Sequence, residues 1–519
     1  MKRLARSRTL AVGAVLTLVS TIGLAGCSSD SGSGGGSGGE GGTSTLRWAF
    51  SLPTSWDPVT SSTGNDINTL SLVYASLTQL DEQGTAGPGL AESWEYNADG
   101  TEVTFTLRPN LKFSDGTALD AEAVRTSLLR GKTQDNSLLK DQLSTIKDVQ
   151  APDATTVVVQ LQAPDYQVPL LLAGKTGAIV SPKAIEENVS GLPTAPVGAG
   201  PFKFESFIPE SQAIMVANPE YWDAADISID RLELTVAPDP ATIVTAVQSG
   251  AIDVATLQPR LIDQAKSAGL GVDISPTLTV NQVDVNSTLP GVDDPTVVEA
   301  LKYAVDRQQL VDVITAGQGK VTYQPFPPDY IAYDPELDDR FAYDPEKARA
   351  LLAEAGHGPD DPLDLTITAA AYNQQQAELV QAQLQVVGVN STIKIVPPGS
   401  STWQQEVYLG RNAQFALDGT VGRESPVQNL TVVYGAQGLM NTSKVATPEF
   451  LAALDKVRQT PLDDPNYQTV LHEAVALGVE QNPSFSTFNT PRVTVRSEKV
   501  SELPPFISQY RWEGVTVQP

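Results

Sequence analysis

Apolar and polar residues alternate, or recur at helical spacing, along most of the chain after residue 45. The segment 102–107 alternates the two classes and predicts a half-buried strand. Asp120 is a residue type that caps helices, and the apolar spacing behind it predicts a helix. Asp344 followed by Pro345 predicts the start of another helix, and a third is predicted over 297–310. Because strands and helices are mixed and neither dominates, we predict the α/β fold class.

The first 42 residues differ in composition from the rest of the chain. A basic start at 1–8 precedes an uncharged, mostly apolar run at 10–24, which is typical of an export signal and too short for a comfortable membrane span. The stretch LAGC that ends at Cys27 resembles the bacterial lipobox, in which the cysteine becomes the lipidated first residue. Residues 1–26 are therefore predicted to be a lipoprotein signal peptide, and 27–44 a lipid anchor and flexible tether.

This reading predicts a protein held on the extracytoplasmic face of the bacterial cell membrane through lipid on Cys27. The alternative is a free cysteine at an ordinary cleavage site. Cys27 is the one cysteine in the 519-residue sequence, so no internal disulfide can form and a large core must stabilise the fold.

Charge and length narrow the class of protein further. With 61 acidic and 34 basic residues, the formal net charge is −27 at pH 7, which disfavours nucleic acid as a partner. The roughly 475 residues behind the tether exceed what one hydrophobic core usually holds, so two or three domains are expected. No linker-like stretch separates them, which indicates lobes formed by a chain that crosses back and forth. We expect a monomer.

No combination of residues typical of an enzyme stands out. His357 is predicted in a loop, and His472 has no second histidine four residues further on, as a paired zinc site requires. With Cys27 assigned to the anchor, neither a metal site nor a cofactor is predicted. Acidic residues offer many carboxylate pairs, but no spacing singles out a pair for hydrolysis. We predict no catalytic residue, and a secreted hydrolase stays open as an alternative.

Five blocks of sequence, taken in order, resemble the family 5 extracytoplasmic solute-binding proteins, which serve ABC importers for peptides, nickel and some oligosaccharides. The blocks lie at 90–124, 196–223, 249–254, 300–311 and 343–356. The stretch WDP at 56–58 also matches the family's opening Leu-Asp-Pro. The resemblance implies a two-lobe, periplasmic-binding-protein-like fold of type II, of the large cluster that has an extra domain. It also implies ABC permease and ATPase subunits as partners.

The resemblance further implies where the lobes lie. Lobe I would consist of 45–67, 196–279 and 486–519, with an extra domain at 68–195, and lobe II of 280–485. The segments 280–285 and 483–491 would cross between the lobes. In the family the two lobes close on the ligand about a hinge, so binding shifts the population toward the closed form.

Few cleft residues carry over from the family. Trp403 matches a tryptophan that lines ligand side-chain pockets, and a core tryptophan is the equal alternative. The stretch 49–53 matches an edge whose backbone pairs with an extended ligand. Phe50 and Ser51 are the candidate ligand-binding residues there.

One position departs from the peptide-binding members, which carry an aspartate that pairs with the ligand's α-ammonium. Gly422 occupies the position of that aspartate, and Gly419 that of a neighbouring tryptophan. Asp418 or Glu424 would replace the carboxylate after a local shift, whereas Arg423 would oppose an ammonium. Asp418, Gly419 and Arg423 are therefore further candidate ligand-binding residues. Because a buried ammonium without a carboxylate partner is costly, the resemblance indicates the family but not a peptide ligand.

Several ligands stay open at this point. An oligopeptide or dipeptide is the default that the family implies. The alternatives are a non-peptide solute such as an oligosaccharide, and an amino-blocked or anionic solute, which Arg423 would favour. A nickel complex is less expected because histidine is scarce. The sequence also does not separate an importer's receptor from a sensor that binds a ligand and feeds no permease.

Overall fold

The computed structural model describes residues 43–397 and 400–518. The predicted signal peptide, Cys27 and most of the tether lie outside the described residues. Within the described ranges, no helix combines the length and the apolarity that a bilayer crossing requires.

The described strands have the following bounds. They are β1 (Thr45–Phe50), β2 (Thr78–Leu80), β3 (Ala86–Pro88), β4 (Ala91–Tyr96), β5 (Glu102–Leu107), β6 (Ile146–Gln150), β7 (Thr156–Leu161), β8 (Phe202–Ile208), β9 (Gln212–Ala217), β10 (Arg231–Val236), β11 (Val254–Thr256), β12 (Gly271–Ser275), β13 (Val280–Val285), β14 (Lys320–Val321), β15 (Asp364–Ala370), β16 (Asn390–Val396), β17 (Phe415–Thr420), β18 (Phe485–Asn489) and β19 (Arg492–Arg496).

The α-helices are interspersed among these strands along the chain. They are α1 (Ile67–Leu70), α2 (Ala121–Thr133), α3 (Val168–Leu171), α4 (Pro182–Asn188), α5 (Ile243–Gln248), α6 (Ile262–Ser267), α7 (Pro295–Ala304), α8 (Arg307–Ile314), α9 (Pro345–Glu354), α10 (Gln374–Val386), α11 (Ser400–Trp403), α12 (Pro426–Tyr434), α13 (Pro448–Arg458) and α14 (Tyr467–Gln481). The predicted α/β class is confirmed.

The first large sheet has seven strands in the order β12-β19-β11-β1-β10-β9-β8. Its central strand β1 pairs in parallel with both β10 and β11, so the start of the chain joins strands from its middle. The C-terminal strand β19 pairs with β11 and β12. Trp48 of β1 is fully buried and packs against the rings of Phe50 at 4.8 Å, Tyr510 at 5.1 Å and Trp512 at 5.0 Å. These aromatic contacts hold the C-terminal segment against the sheet.

A smaller sheet, in the order β4-β5-β7-β6, lies within residues 68–195, which we call the insert. The strand predicted at 102–107 is confirmed as β5. Its alternate residues Val103 and Phe105 are buried in the same core as Val124 and Leu128 of α2. As predicted, Asp120 caps α2, since its carboxylate accepts the backbone N–H of the third residue along.

The second large sheet has six strands in the order β14-β18-β13-β17-β15-β16, and we call residues 280–489 the six-stranded region. Strands β13 and β18 lie wholly in this sheet. The chain therefore passes between the two large sheets, outside strand pairing, at 276–279, just before the predicted 280–285, and at 490–491, the end of the predicted 483–491. The predicted end of lobe II at 485 falls at the first residue of β18, so it would assign the rest of this strand to the other lobe. The division into lobes itself stays a prediction.

One predicted helix is wrong. The spacing over 297–310 predicts a single helix, but α7 ends at Ala304 and α8 begins at Arg307. The side chain of Asp306 accepts the N–H of Gln309 and so caps a new helix at the break. The apolar spacing continues across the break because both helices bury their apolar residues in one core.

Candidate ligand-binding cleft

A cavity of about 280 Å³ lies where the chain passes between the two large sheets. Its walls come from four places: the end of β1 and the loop behind it, the insert, the loop after β17, and the C-terminal segment. The passing segments 277–279 and 490–491 line it as well. Among the described residues, the charged side chains on its walls belong to Lys175, Arg423, Glu424 and Arg492.

The wall from the seven-stranded sheet is aromatic. Phe50, the last residue of β1, lies against Trp48 and meets the ring of Tyr510 edge-on at 5.6 Å. The guanidinium of Arg492 lies over the Tyr510 ring at 4.3 Å and donates to the backbone oxygens of Phe506 and Gln509. Burial lowers the pKa of Arg492. This wall therefore offers flat apolar surface beside a cation that is fixed by stacking.

Lys175 brings a second cation from the insert. Its Nζ donates to the carbonyl oxygens of Ser61 at 2.9 Å and Thr63 at 3.1 Å, and lies 3.3 Å from the Ser61 hydroxyl. All three of its N–H donors are thus engaged by the loop behind β1. Burial lowers the pKa of Lys175 to about 8, and the positive charge of Arg423 lowers it further while Asp66 raises it. Because its donors are engaged, the Lys175 ammonium attracts a ligand through its positive charge and not through a direct hydrogen bond.

The loop after β17 supplies opposite charges. Gly422 has a φ of +77°, a left-handed conformation that glycine adopts readily, and it directly precedes Arg423 and Glu424. A side chain at Gly64 would overlap Val421, and one at Gly174 would overlap the carboxylate of Glu424, so two glycines on the facing walls make room for this loop. Among the salt bridges of the described residues none involves Arg423 or Glu424, and Arg423 Nη1 donates to the carbonyl oxygen of Gly422 at 3.2 Å. Neither charge is therefore neutralised by a protein side chain in direct contact.

The predicted site residues separate into two groups. Phe50 and Arg423 line the cavity, whereas Ser51, Trp403, Asp418 and Gly419 do not. Ser51 is exposed at the rim, where its hydroxyl accepts from the side chain of Asn65 at 3.1 Å. The expected backbone edge at 49–53 is occupied on both sides only at Ala49, because β11 pairs with β1 no further than Ala49, whereas Phe50 pairs with Val236 of β10 on one side.

Asp418 and Trp403 instead contact each other within the six-stranded region. The Asp418 carboxylate accepts from Trp403 Nε1 at 3.1 Å, from the Gly419 N–H at 2.8 Å and from the Tyr408 hydroxyl. Asp284 lies beside it on β13, and burial raises the pKa of both carboxyl groups. Asp418 therefore does not take the place of the missing aspartate through a local shift. Glu424 is the carboxylate that reaches the cavity.

Sequence reasoning missed the contributions of Lys175, Asn65, Tyr510 and Arg492. None of them stands in a local pattern that marks a binding residue. They come together only because the loop behind β1, the insert and the C-terminal segment meet at one cavity. Nor do the described residues hold a group of three or more His, Cys, Asp or Glu side chains placed to bind a metal ion.

Comparisons with known proteins identify the family and the fold. A family model described as bacterial extracellular solute-binding proteins, family 5 Middle, matches residues 85–439. The glutathione-binding protein GsiB of Salmonella paratyphi A is 30% identical over 355 residues, which are 64% of this chain and 65% of that protein. The chain thus spans somewhat less than two thirds of the length of the curated relatives it matches.

Solved structures resemble nearly the whole chain. DppA of Helicobacter pylori, a periplasmic binding protein in complex with the peptide STSA, has a TM-score of 0.80 at 22% identity and covers 92% of this chain and 98% of its own. NikA of Staphylococcus aureus, in complex with Ni(L-His)2, has a TM-score of 0.77 at 19% identity and covers 92% and 100%. The predicted periplasmic-binding-protein-like fold is confirmed.

Proposed function

The chain belongs to the bacterial extracellular solute-binding proteins of family 5, and we propose that it is the receptor of an ABC importer for a small peptide of net negative charge. We propose that lipid on Cys27 anchors it to the extracytoplasmic face of the cell membrane. Its partners would be the permease and ATPase subunits of the importer. The solute would be bound and released unchanged.

The charge balance of the cavity carries this proposal. Three cations, Lys175, Arg423 and Arg492, and one carboxylate, that of Glu424, line the cavity, and the buried Asp66 behind Lys175 offsets part of the lysine's charge. A peptide zwitterion needs one partner of each sign, and Glu424 and Arg492 supply them, which leaves Arg423 for a further group of the ligand. The cations that remain favour a second carboxylate on the ligand, because like-signed charges in a partly buried site stabilise an opposite charge brought between them.

Size and relatives support the same class of ligand. A cavity of about 280 Å³ is near the lower end of small-molecule sites, which run from roughly 300 to 1,000 Å³. This favours a peptide of two or three residues over a longer one. The relative GsiB is named for glutathione, a tripeptide with two carboxylates, and the DppA structure holds a peptide.

An anionic solute without an ammonium group is the second candidate. The excess of cations favours it. Arg423 also lies directly beside Glu424 in the chain, where its positive charge opposes the binding of a ligand ammonium. Such a ligand would leave the Glu424 carboxylate facing solvent or a hydroxyl group. An oligosaccharide would use the aromatic surface of Phe50 and Tyr510 and could form hydrogen bonds with Arg423 and Glu424, but it would leave the excess of positive charge without a partner.

Calorimetry with two dipeptides of nearly equal shape tests the charge argument. Ala-Glu and Ala-Gln differ by one negative charge, and we expect the full-length chain to bind Ala-Glu at least about tenfold more tightly, the worth of one charge-assisted hydrogen bond. Arg423→Gln should remove most of this preference. The control Arg260→Gln, at an exposed arginine off the cavity, should retain it. Equal binding, or tighter binding of Ala-Gln, would contradict the proposal.

N-acetyl-Ala-Glu separates the two candidate ligand classes. If a peptide ammonium pairs with Glu424, acetylation should weaken binding by a similar factor. If acetylation strengthens binding or leaves it unchanged, the solute class is the amino-blocked anion. If none of the three compounds binds, the peptide-like ligand is wrong.

A further inference from the structure

A set of polar contacts joins the insert to the six-stranded region beside the cavity, and we call it the seam. It consists of Gln142, Tyr166 and Gln167 of the insert and Ser425, Gln428, Arg458 and Tyr467 of the six-stranded region. Leu462 adds an apolar contact against Leu80, Leu170 and Ala173. The seam is thus a packed interface between two parts of the chain that both line the cavity.

Gln167 is the centre of the seam. Its side-chain oxygen accepts from the Ser425 hydroxyl at 3.1 Å and from the Tyr467 hydroxyl at 3.3 Å. Ser425 is the cap of α12 and Tyr467 the first residue of α14, so one oxygen ties together the starts of two helices. All three residues are at most 4% exposed. These bonds exist only while the insert and the six-stranded region are in contact.

Two further bonds surround this centre. The backbone N–H of Tyr166 donates to the carbonyl oxygen of Arg458 at 2.8 Å. Gln428 Nε2 donates to Gln142 Oε1 at 2.9 Å, and Gln142 also lines the cavity. Separating the two regions would return all of these groups to water. The seam therefore stabilises the contact between the insert and the six-stranded region. Gln167 itself does not line the cavity.

We propose that Gln167 determines how firmly the insert closes onto the six-stranded region, and thereby sets the affinity for the solute. This rests on the proposed function in one respect, that the solute is held between the two closed regions. Apparent affinity falls in proportion to the fraction of molecules in the binding-competent form. Gln167 is thus a positioning residue, since it acts on the ligand only through closure.

Hydrogen exchange of one backbone amide reports the seam without any ligand. The Tyr166 N–H is bonded across the seam, whereas the Leu161 N–H is bonded to Thr101 within the insert at 2.9 Å. In the full-length chain we expect Gln167→Ala to speed exchange at Tyr166 by about fivefold to thirtyfold, as the loss of one to two hydrogen bonds implies. Exchange at Leu161 should not change.

A variant on the facing side excludes local loosening of the loop. Tyr467→Phe removes one donor of the pair without altering the insert, and should speed exchange at Tyr166 by about fivefold. The control Gln150→Ala, at an exposed glutamine of β6, should have no effect. Faster exchange in Gln167→Ala together with unchanged exchange in Tyr467→Phe would overturn the proposal, as would unchanged exchange in both.

Binding kinetics with Ala-Glu as the probe supply the second arm. Gln167→Ala should raise the dissociation rate by the factor seen in exchange, because the ligand contacts themselves are intact. A seam variant that speeds exchange but leaves Ala-Glu dissociation unchanged would show that closure does not control affinity. If Ala-Glu does not bind the unaltered chain, the proposed ligand class fails, and the exchange measurements decide the seam by themselves.

Discussion

Replacing Asp57 by asparagine should lower the free energy of unfolding by about 3–5 kcal/mol, the cost of leaving a buried charge without its partner. Asp57 lies in the loop behind β1 and its side chain is 2% exposed, while that of Arg130 in α2 is 6% exposed. Arg130 Nη1 donates to one carboxylate oxygen at 3.0 Å and Nη2 donates to the other. The pair therefore joins the first sheet's opening loop to the insert in the bidentate geometry that gives ion pairs their strength.

Arg130→Met should cost a comparable amount, since it leaves the Asp57 carboxylate buried. The double variant Asp57→Asn/Arg130→Met should cost less than the sum of the two, because no unpaired charge is then buried. Glu122→Gln is a suitable control, since Glu122 pairs with Arg125 where the two side chains are 60% and 40% exposed. Such a surface pair contributes about 0–1 kcal/mol.

Urea unfolding followed by both circular dichroism and tryptophan fluorescence measures these costs and tests whether the transition is two-state. A loss for Asp57→Asn that is no larger than for Glu122→Gln would refute the reasoning. So would strict additivity in the double variant, because it would show that the two side chains do not depend on each other.

Two further predictions concern a buried lysine and the anchor. Burial lowers the pKa of Lys302 to about 8, so between pH 8 and 10 the unfolded chain holds more protons than the folded one, and the free energy of unfolding should rise by up to about 3 kcal/mol. Lys302→Met should flatten this rise in urea unfolding at stepped pH, whereas an unchanged slope would contradict it. Metabolic labelling with a fatty-acid analogue should mark the unaltered chain and not Cys27→Ser, and equal labelling of both would exclude lipidation at this cysteine.

Local elements were the part of the fold that the sequence predicted well. The strand at 102–107 and the caps at Asp120 and Asp344 depend on side chains and backbone groups within four residues of one another. The break between α7 and α8 was missed, because the apolar spacing alone does not show that the chain turns at Asp306 to bury both helices in one core.

The candidate site was predicted only in part, at Phe50 and Arg423. Phe50 was identified from the stretch 49–53, which matches the family's ligand-pairing edge, and Arg423 from the departure from the peptide-binding pattern at Gly422. Asp418 was predicted to bind the ligand. It lies in β17, however, and successive side chains of a strand point to opposite faces. Asp418 points to the face that Trp403 and Tyr408 cover, and the cavity begins only beyond the strand, at Val421.

What the sequence determined by itself is the α/β class, the family resemblance and most of the local elements, since these follow from short-range spacing and from the order of blocks. The tertiary structure alone decided which charges share the cavity. Lys175, Arg423 and Arg492 are distant in the chain, and their joint effect on a ligand depends on distances in space that no local pattern encodes. It also decided the seam, because Gln167 meets Ser425 and Tyr467, which are more than 250 residues away in the chain, only where the insert packs against the six-stranded region.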